Sequence, residues 1–218
     1  MQKRKVIKYF IAFFFVLIFI GLFYLSGKKI KQRWIIERTI NSTHWQQRTK
    51  EIESTKLFKY KTIFIGNSLT ELFDLSHYFT DSTLLNCGIV GDFSEGLLKR
   101  LGAVVELKPE KLFIEIGIND IIEKIRLDEI CNNYEQIITK VQKESPQTRI
   151  YMQSNLPVII NRPGLLTDNK DVNDLILQQN KNLQILAQKY KVTYIDIYSS
   201  FVKEKKIETL FIWDGVHL

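Results

Sequence analysis

From residue 61 onward, short apolar runs alternate with longer amphipathic stretches along the chain. The short runs are rich in β-branched and aromatic residues, and they predict strands at residues 62–65, 84–87, 111–116, 149–154 and 193–197. The longer stretches have helical length and periodicity at residues 95–107, 127–143 and 172–190. Strands and helices that alternate in this way predict an α/β fold around a parallel sheet of about five strands.

The N-terminal region has a different pattern. Residues 9–27, YFIAFFFVLIFIGLFYLSG, contain no charged side chain. As a helix rising about 1.5 Å per residue, this segment nearly matches a hydrocarbon core of about 30 Å, which predicts a transmembrane anchor. A cleaved secretory signal is a rival interpretation, although Leu25, Ser26 and Gly27 make a poor small-x-small cleavage site. A buried core helix is a third, and it would need protein on every side.

These patterns divide the chain into a basic N-terminus (1–8), an anchor (9–27), a juxtamembrane spacer (28–59) and a catalytic-type domain (60–218). The net charge is +7, but nine of the 31 Lys and Arg residues lie in the first forty positions. The positive charge therefore flanks the anchor, and we expect no nucleic-acid partner. Because basic residues flank both ends of the anchor, the positive-inside rule gives only a modest preference for a cytoplasmic N-terminus. We expect a single-pass membrane protein with its domain outside the cytoplasm.

The four polar clusters with candidate chemistry follow predicted strands, the last after a short intervening stretch. They are GNSLT with Ser68, GIVGD with Gly91, GIND with Asn119, and WDGVHL with Asp214 and His217. Parallel sheets collect ligands at the carboxyl ends of their strands, so these clusters converge on one edge. A serine nucleophile needs a histidine base and an orienting carboxylate, while backbone or side-chain amides stabilise the oxyanion. The clusters thus contain the groups for acyl transfer, although a Ser after Gly-Asn is by itself commonly a turn or helix-cap residue.

The blocks IFIGNSLTE, NCGIVGD, IEIGIND and DGVHL, in this order, resemble those of the SGNH hydrolase superfamily, the GDSL-type esterases and lipases. The resemblance spans about residues 61–218. It implies a flavodoxin-like three-layer α/β/α sandwich with no cofactor and no metal. It also implies Ser68 as nucleophile, Gly91 and Asn119 as oxyanion-hole donors with the Ser68 amide, His217 as general base and Asp214 as its orienting carboxylate.

Two departures from the family pattern concern the site. Asn67 stands where the family most often has Asp, which keeps a hydrogen-bonding group but removes a charge. The chain also ends at Leu218, one residue after His217, whereas relatives usually continue into a closing helix. We therefore expect either a C-terminally truncated sequence or a histidine that is held less firmly than usual.

The remaining candidate residues have plainer interpretations. Cys87 and Cys131 are expected to be two separate buried thiols. We interpret Asp92 as a turn or helix-start carboxylate and Asp120 as a cap of the helix that follows it. His44 and His77 are expected to be spacer and loop residues.

The predicted function is hydrolysis of small acyl esters, most plausibly O-acetyl esters, through an acyl-enzyme. The substrate is expected to be a small molecule or a glycan, such as a carbohydrate or cell-envelope component. An O-acyltransferase would use the same residues, and a non-catalytic anchored domain is an alternative of another class. The sequence does not indicate an oligomeric state.

Overall fold

The computed structural model describes residues 2–55, 59–159, 169–203, 206–207 and 216–217. The chain divides into two units, Met1–Arg38 and Thr39–Leu218. Helix α1 spans Gln2–Ile40 and so contains the predicted basic N-terminus, the predicted anchor and the first part of the spacer. Among the described residues, no helix is long and apolar enough to cross a membrane. Most side chains of residues 9–27 lie outside the described set, so the anchor stays a prediction.

The second unit is built on a parallel sheet of five strands in the order β2-β1-β3-β4-β5. The strands are β1 (Thr62–Gly66), β2 (Leu84–Gly88), β3 (Lys111–Glu115), β4 (Arg149–Gln153) and β5 (Thr193–Ile195). All five predicted strands are confirmed, with ends that differ by at most two residues. The predicted α/β fold with a five-stranded parallel sheet is confirmed as well.

The two faces of the sheet carry different side chains. Ile63 and Ile65 of β1 are fully buried, as are Leu112 and Ile114 at the paired positions of β3. On the other face, Phe64 stacks on Phe113, and Phe113 stacks on Tyr151, with ring centroids 4.8 and 4.6 Å apart. These aromatic rings are half-buried. Alternation of aliphatic and aromatic residues thus gives β1, β3 and β4 one aliphatic and one aromatic side.

Seven helices in the described ranges follow α1. They are α2 (Thr43–Ser54), α3 (Ser68–Glu71), α4 (Leu75–Tyr78), α5 (Ser94–Glu106), α6 (Ile118–Ile122), α7 (Leu127–Glu144) and α8 (Asn169–Tyr190). The three long predicted helices correspond to α5, α7 and α8, and these pack side by side in that order. Their buried aliphatic residues, with those of the strands, form the core.

Helix α2 lies in the stretch predicted as a spacer, yet its buried side chains Trp45 and Ile52 belong to the sheet domain. Beyond β5, a 3-10 helix (Tyr198–Phe201) leads into an antiparallel pair, β6 (Val202–Lys203) and β7 (Lys206–Ile207). The stretch 161–171, where Pro163 and Gly164 predict a surface loop, falls mostly outside the described residues.

The strand order decides where a ligand can bind. The chain passes from β1 to β2 on one side and then returns to β3 on the other side of β1. Connections that leave β1 and β3 in opposite directions open a crevice at the carboxyl ends of these strands. The segments following Gly66 and Glu115 therefore border the expected binding crevice.

Candidate active site

Ser68 is the first residue of helix α3, immediately after β1. Asn67 caps this helix, because its Oδ1 accepts a hydrogen bond of 2.8 Å from the Leu69 amide. This is the ordinary chemistry of an N-cap asparagine, and it holds Ser68 at the start of the helix. The Ser68 side chain is buried apart from a small exposed fraction of 5%.

Two glycines allow α3 to lie directly against the sheet. A Cβ on Gly66 would lie 2.2 Å from the Thr70 hydroxyl oxygen of α3 and 2.3 Å from the Glu115 carbonyl oxygen, and one on Gly88 would lie 2.1 Å from the Glu71 backbone nitrogen of α3. These distances are all far below van der Waals contact. The glycines at the ends of β1 and β2 are therefore required by the close approach of the backbone.

His217 lies beside Ser68 although the two residues are 149 positions apart. Its Nε2 is 2.8 Å from Ser68 Oγ, which is hydrogen-bond distance. A histidine nitrogen at this distance can accept the hydroxyl proton and so activate the oxygen as a nucleophile. Asp214, which the sequence predicts to orient this histidine, lies outside the described residues.

The two predicted oxyanion-hole residues are neighbours in space. Gly91 has a φ of +75°, in the left-handed region that favours glycine. Asn119, on α6, donates from its side-chain nitrogen to the Asp92 carbonyl oxygen at 2.9 Å. This bond fixes the Asn119 amide next to the Gly91–Asp92 segment, while the same nitrogen carries a second hydrogen.

Glu71 joins the nucleophile's helix to the loop that contains Gly91. Its carboxylate accepts a hydrogen bond from the Val90 backbone amide. The same carboxylate lies 3.0 Å from His44 Nε2 and 3.5 Å from Arg48 Nε, both on α2. His44 was expected to be only a spacer residue, but it contacts the helix that presents Ser68.

A buried ion pair lies behind the Gly91 loop. Arg100 Nε donates to Asp92 Oδ2 at 2.8 Å, and both side chains are almost fully buried. The other oxygen of Asp92 accepts from Trp45 Nε1 at 3.0 Å. Burial raises the pKa of the Asp92 carboxyl, and the Arg100 guanidinium opposes this shift. Asp92 is thus the centre of a buried network rather than a simple turn carboxylate.

Asp120 has a role different from the predicted one. It lies inside α6, and its carboxylate accepts hydrogen bonds from the Ser94 backbone amide at 3.0 Å and the Ser94 hydroxyl at 2.6 Å. It therefore caps the start of α5, and the prediction that it caps the helix that follows is wrong. Burial raises the pKa of Asp120 to about 6, partly offset by the bonds from Ser94.

A third buried carboxyl, that of Glu115, lies beneath the Ser68 turn. Burial raises the pKa of Glu115, at the end of β3, to about 7. Asn155 Nδ2 donates to Glu115 Oε1 at 3.3 Å, while the Asn67 amide lies nearby without a well-formed hydrogen bond. Glu115 Oε2, Asn67 Nδ2 and Asn155 Oδ1 are all buried and have no hydrogen-bond partner. An Asp at position 67 would place a second carboxylate beside Glu115, which gives a physical reason for Asn there.

Cys87 is fully buried and Cys131 is half-buried, and both are free thiols. Burial raises the pKa of Cys87 to about 12, so its thiol stays protonated. Among the described residues, no group of three or more His, Cys, Asp or Glu side chains is arranged to hold a metal ion.

Sequence reasoning missed Arg100, Trp45 and Glu115. One signal for Arg100 was available, since it occupies the same helical face as Leu97, Leu101 and Val104 and so interrupts an apolar stripe. A cation at such a position needs a buried partner. Trp45 gave no comparable signal, because it stands in a polar segment.

The family comparison covers the same part of the chain as the site. A family model described as the GDSL-like Lipase/Acylhydrolase family matches residues 64–218. The chain belongs to this family. Esterases are among the solved structures that share its fold.

Individual GDSL-like relatives give more detail. The rat protein "Platelet-activating factor acetylhydrolase IB subunit alpha1" is 27% identical over 122 residues, which are 53% of this chain and 52% of that protein. The chain thus spans about half the length of the curated relatives it matches. A solved structure provisionally named as a platelet activating factor from Streptococcus pneumonia has a TM-score of 0.71 and 25% identity, covering 89% of this chain and 91% of that one. The structure of a catalytic mutant of an acetylxylan esterase from Geobacillus stearothermophilus has a TM-score of 0.57 and 19% identity, covering 72% of this chain and 86% of that one.

Proposed function

We propose that this GDSL-like protein is a serine esterase that hydrolyses small acyl esters through a covalent acyl-enzyme. The observation behind this proposal is the 2.8 Å distance between Ser68 Oγ and His217 Nε2 at the carboxyl edge of the sheet. Two residues that are 149 positions apart have no local reason to meet. Nucleophile and base in hydrogen-bond reach are the structural signature of covalent acyl transfer.

In the proposed reaction, His217 Nε2 takes the proton of Ser68 Oγ as the oxygen attacks the ester carbonyl. The carbonyl oxygen becomes an oxyanion, and the backbone amides of Ser68 and Gly91 and the side-chain amide of Asn119 would donate to it. Protonated His217 then returns the proton to the leaving alcohol, which leaves an acyl group on Ser68. Water, deprotonated by the same histidine, then attacks the acyl carbonyl, and His217 returns this proton to Ser68 Oγ as the C–O bond breaks and the acid leaves. We assign Asp214 the role of orienting His217.

We propose an O-acetyl or short-acyl ester of a carbohydrate or cell-envelope component as the substrate. Two relatives support an acetyl group, because one is named an acetylhydrolase and the other an acetylxylan esterase. The acetylhydrolase matches about half of this chain, and the acetylxylan esterase shares its fold.

The test compares the full chain with Ser68→Ala in the hydrolysis of p-nitrophenyl acetate. Ser82→Ala is a suitable control, because Ser82 is exposed and precedes β2, at the opposite edge of the sheet. We expect Ser68→Ala to lose the catalysed rate and Ser82→Ala to retain it. A fluorophosphonate ester should form an adduct at Ser68 that is visible by mass spectrometry of the intact protein. Equal rates for wild type and Ser68→Ala, with no adduct, would show that the proposed function is wrong.

We also propose that residues 9–27 anchor the protein in a membrane, with the sheet domain outside the cytoplasm. Support comes from nineteen consecutive uncharged residues between basic clusters. Detergent should release the protein from a membrane fraction, whereas high salt should not. Release by salt alone would contradict a spanning segment. A domain that is protected from protease added outside intact cells would contradict the orientation.

A further inference from the structure

Arg100 is the most deeply buried cation among the described residues, with 4% of the residue exposed. Burial of a guanidinium is unfavourable unless its donors are satisfied, and here three of its nitrogens make hydrogen bonds. Nε donates to Asp92 Oδ2 at 2.8 Å, Nη1 to the Cys87 carbonyl at 2.7 Å and Nη2 to the Gly66 carbonyl at 2.9 Å. One planar group thus contacts the ends of β1 and β2 and the loop that follows β2.

Two of these three partners, Gly66 and Asp92, are linked to groups of the proposed active site. Gly66 comes two residues before Ser68 and is the last residue of β1. Its carbonyl also accepts a hydrogen bond of 3.1 Å from the Ile89 amide, so the β1 end and the β2 loop share this acceptor. The guanidinium therefore lies between the turn that presents the nucleophile and the loop that presents Gly91.

Asp92 provides the second link. Its backbone directly continues from Gly91, and its carbonyl oxygen accepts the Asn119 side-chain hydrogen bond at 2.9 Å. Its carboxylate is held from both sides, by Arg100 at 2.8 Å and by Trp45 at 3.0 Å. A shift of this carboxylate would move the Asp92 backbone, and with it the adjoining Gly91 and the Asp92 carbonyl that orients Asn119.

We propose that Arg100 is a positioning residue, which acts through Asp92 to hold the two oxyanion donors Gly91 and Asn119 in register with Ser68. This proposal rests on the proposed esterase function. A lysine could not replace Arg100, because an ammonium is a point charge without the planar fork that reaches three acceptors in different directions. Trp45 supports the same carboxylate from α2, which gives a function to a residue in the predicted spacer.

The test uses the full chain with Arg100→Lys and, as a milder change, Trp45→Phe, which keeps an aromatic ring but removes the donor to Asp92 together with part of the buried indole volume. Oxyanion donors act on the transition state more than on the bound ester, so kcat should fall and KM should hardly change. We expect kcat for p-nitrophenyl acetate to fall about 10- to 100-fold in Arg100→Lys and about 3- to 10-fold in Trp45→Phe. A trifluoromethyl ketone, which forms a tetrahedral oxyanion on serine, should bind more weakly in the same proportion.

The matched control is Leu101→Ala, a fully buried neighbour on the same helix with an aliphatic side chain. It should lower stability and leave kcat and ketone affinity of the folded protein unchanged. A second measurement does not depend on hydrolysis: NMR of 15N-labelled protein follows the Gly91 backbone amide and the Asn119 side-chain amide. Both signals should shift in Arg100→Lys and Trp45→Phe and stay in place in Leu101→Ala.

Two results would overturn the proposal. If the Gly91 and Asn119 signals do not move in Trp45→Phe or Arg100→Lys, the network does not position these donors. If the signals move but kcat and ketone affinity stay within about 2-fold of wild type, the positioning has no catalytic role. Should the wild type show no hydrolysis and no fluorophosphonate adduct, the proposed function fails, and the NMR comparison still decides whether Arg100 holds Gly91 and Asn119.

Discussion

Glu115 makes the stability of this protein depend on pH in a direction that can be measured. The carboxyl is buried at the end of β3, and burial raises its pKa to about 7 from an ordinary value of 4.5. Between these two values the folded protein keeps a proton that the unfolded chain has lost. Rising pH therefore favours unfolding across this window, and the effect is complete above about pH 7.

The shift corresponds to about 3 kcal/mol of unfolding free energy, since one pKa unit is worth about 1.4 kcal/mol. Glu115→Gln keeps the shape of the side chain and cannot ionise. Its carbonyl oxygen can still accept the hydrogen bond from Asn155. We expect the stability of the variant relative to wild type to rise from near zero at about pH 4.5 to about 3 kcal/mol at about pH 8.

Urea denaturation at several pH values, followed by the fluorescence of buried Trp45, measures this difference. Asp120 is also buried with a raised pKa, and it adds a slope of the same sign to both proteins. The difference between the two curves is therefore the informative quantity. A difference that stays constant from about pH 4.5 to about pH 8 would show that Glu115 does not hold a proton in the folded state.

Three further predictions concern the same region. Asn67→Asp should lower the free energy of unfolding by about 1 to 2 kcal/mol at about pH 8, because its carboxylate would then adjoin that of Glu115. Adding Glu115→Gln to the same chain should cancel most of this loss. Additive effects of the two substitutions would contradict a contact between positions 67 and 115. Gly88→Ala should lower the free energy of unfolding, measured by urea denaturation, by about 3 kcal/mol, because its Cβ would lie 2.1 Å from the Glu71 backbone nitrogen. The control Gly102→Ala in α5 has open space around the new methyl group and should be neutral or stabilising. Tyr134→Phe should lose about 1 to 3 kcal/mol, since the hydroxyl donates to the Ile116 carbonyl at 2.9 Å and accepts from its amide, and an unchanged thermal midpoint would contradict this.

Much of the fold was predictable because its signals are local. Each strand of the sheet is a short, largely apolar run, and each long helix has an apolar stripe with the helical period. Parallel strands also bring their carboxyl ends to one edge, so the positions of Ser68, Gly91 and Asn119 followed from strand ends alone. These predictions needed no knowledge of which side chains touch.

The buried polar contacts were not predictable in this way. Nothing in the residues near Asp92 indicates that Arg100 and Trp45 will share its carboxylate, and Asp120 looks like a cap for its own segment but caps α5 instead. The partner of a buried polar group is set by the packing of distant elements. Several partners are equally compatible with the sequence.

The Ser68 turn shows both sides of this division. The local sequence predicted a strand at residues 62–65, and this strand is present, followed by helix α3 with Asn67 as its N-cap. Only the tertiary structure brings His217 to 2.8 Å from Ser68 and places Glu115 beneath Asn67. Periodicity constrains neighbours along the chain, whereas reactivity at Ser68 depends on distances between residues that are far apart in sequence, and these are decided when the sheet and its helices pack.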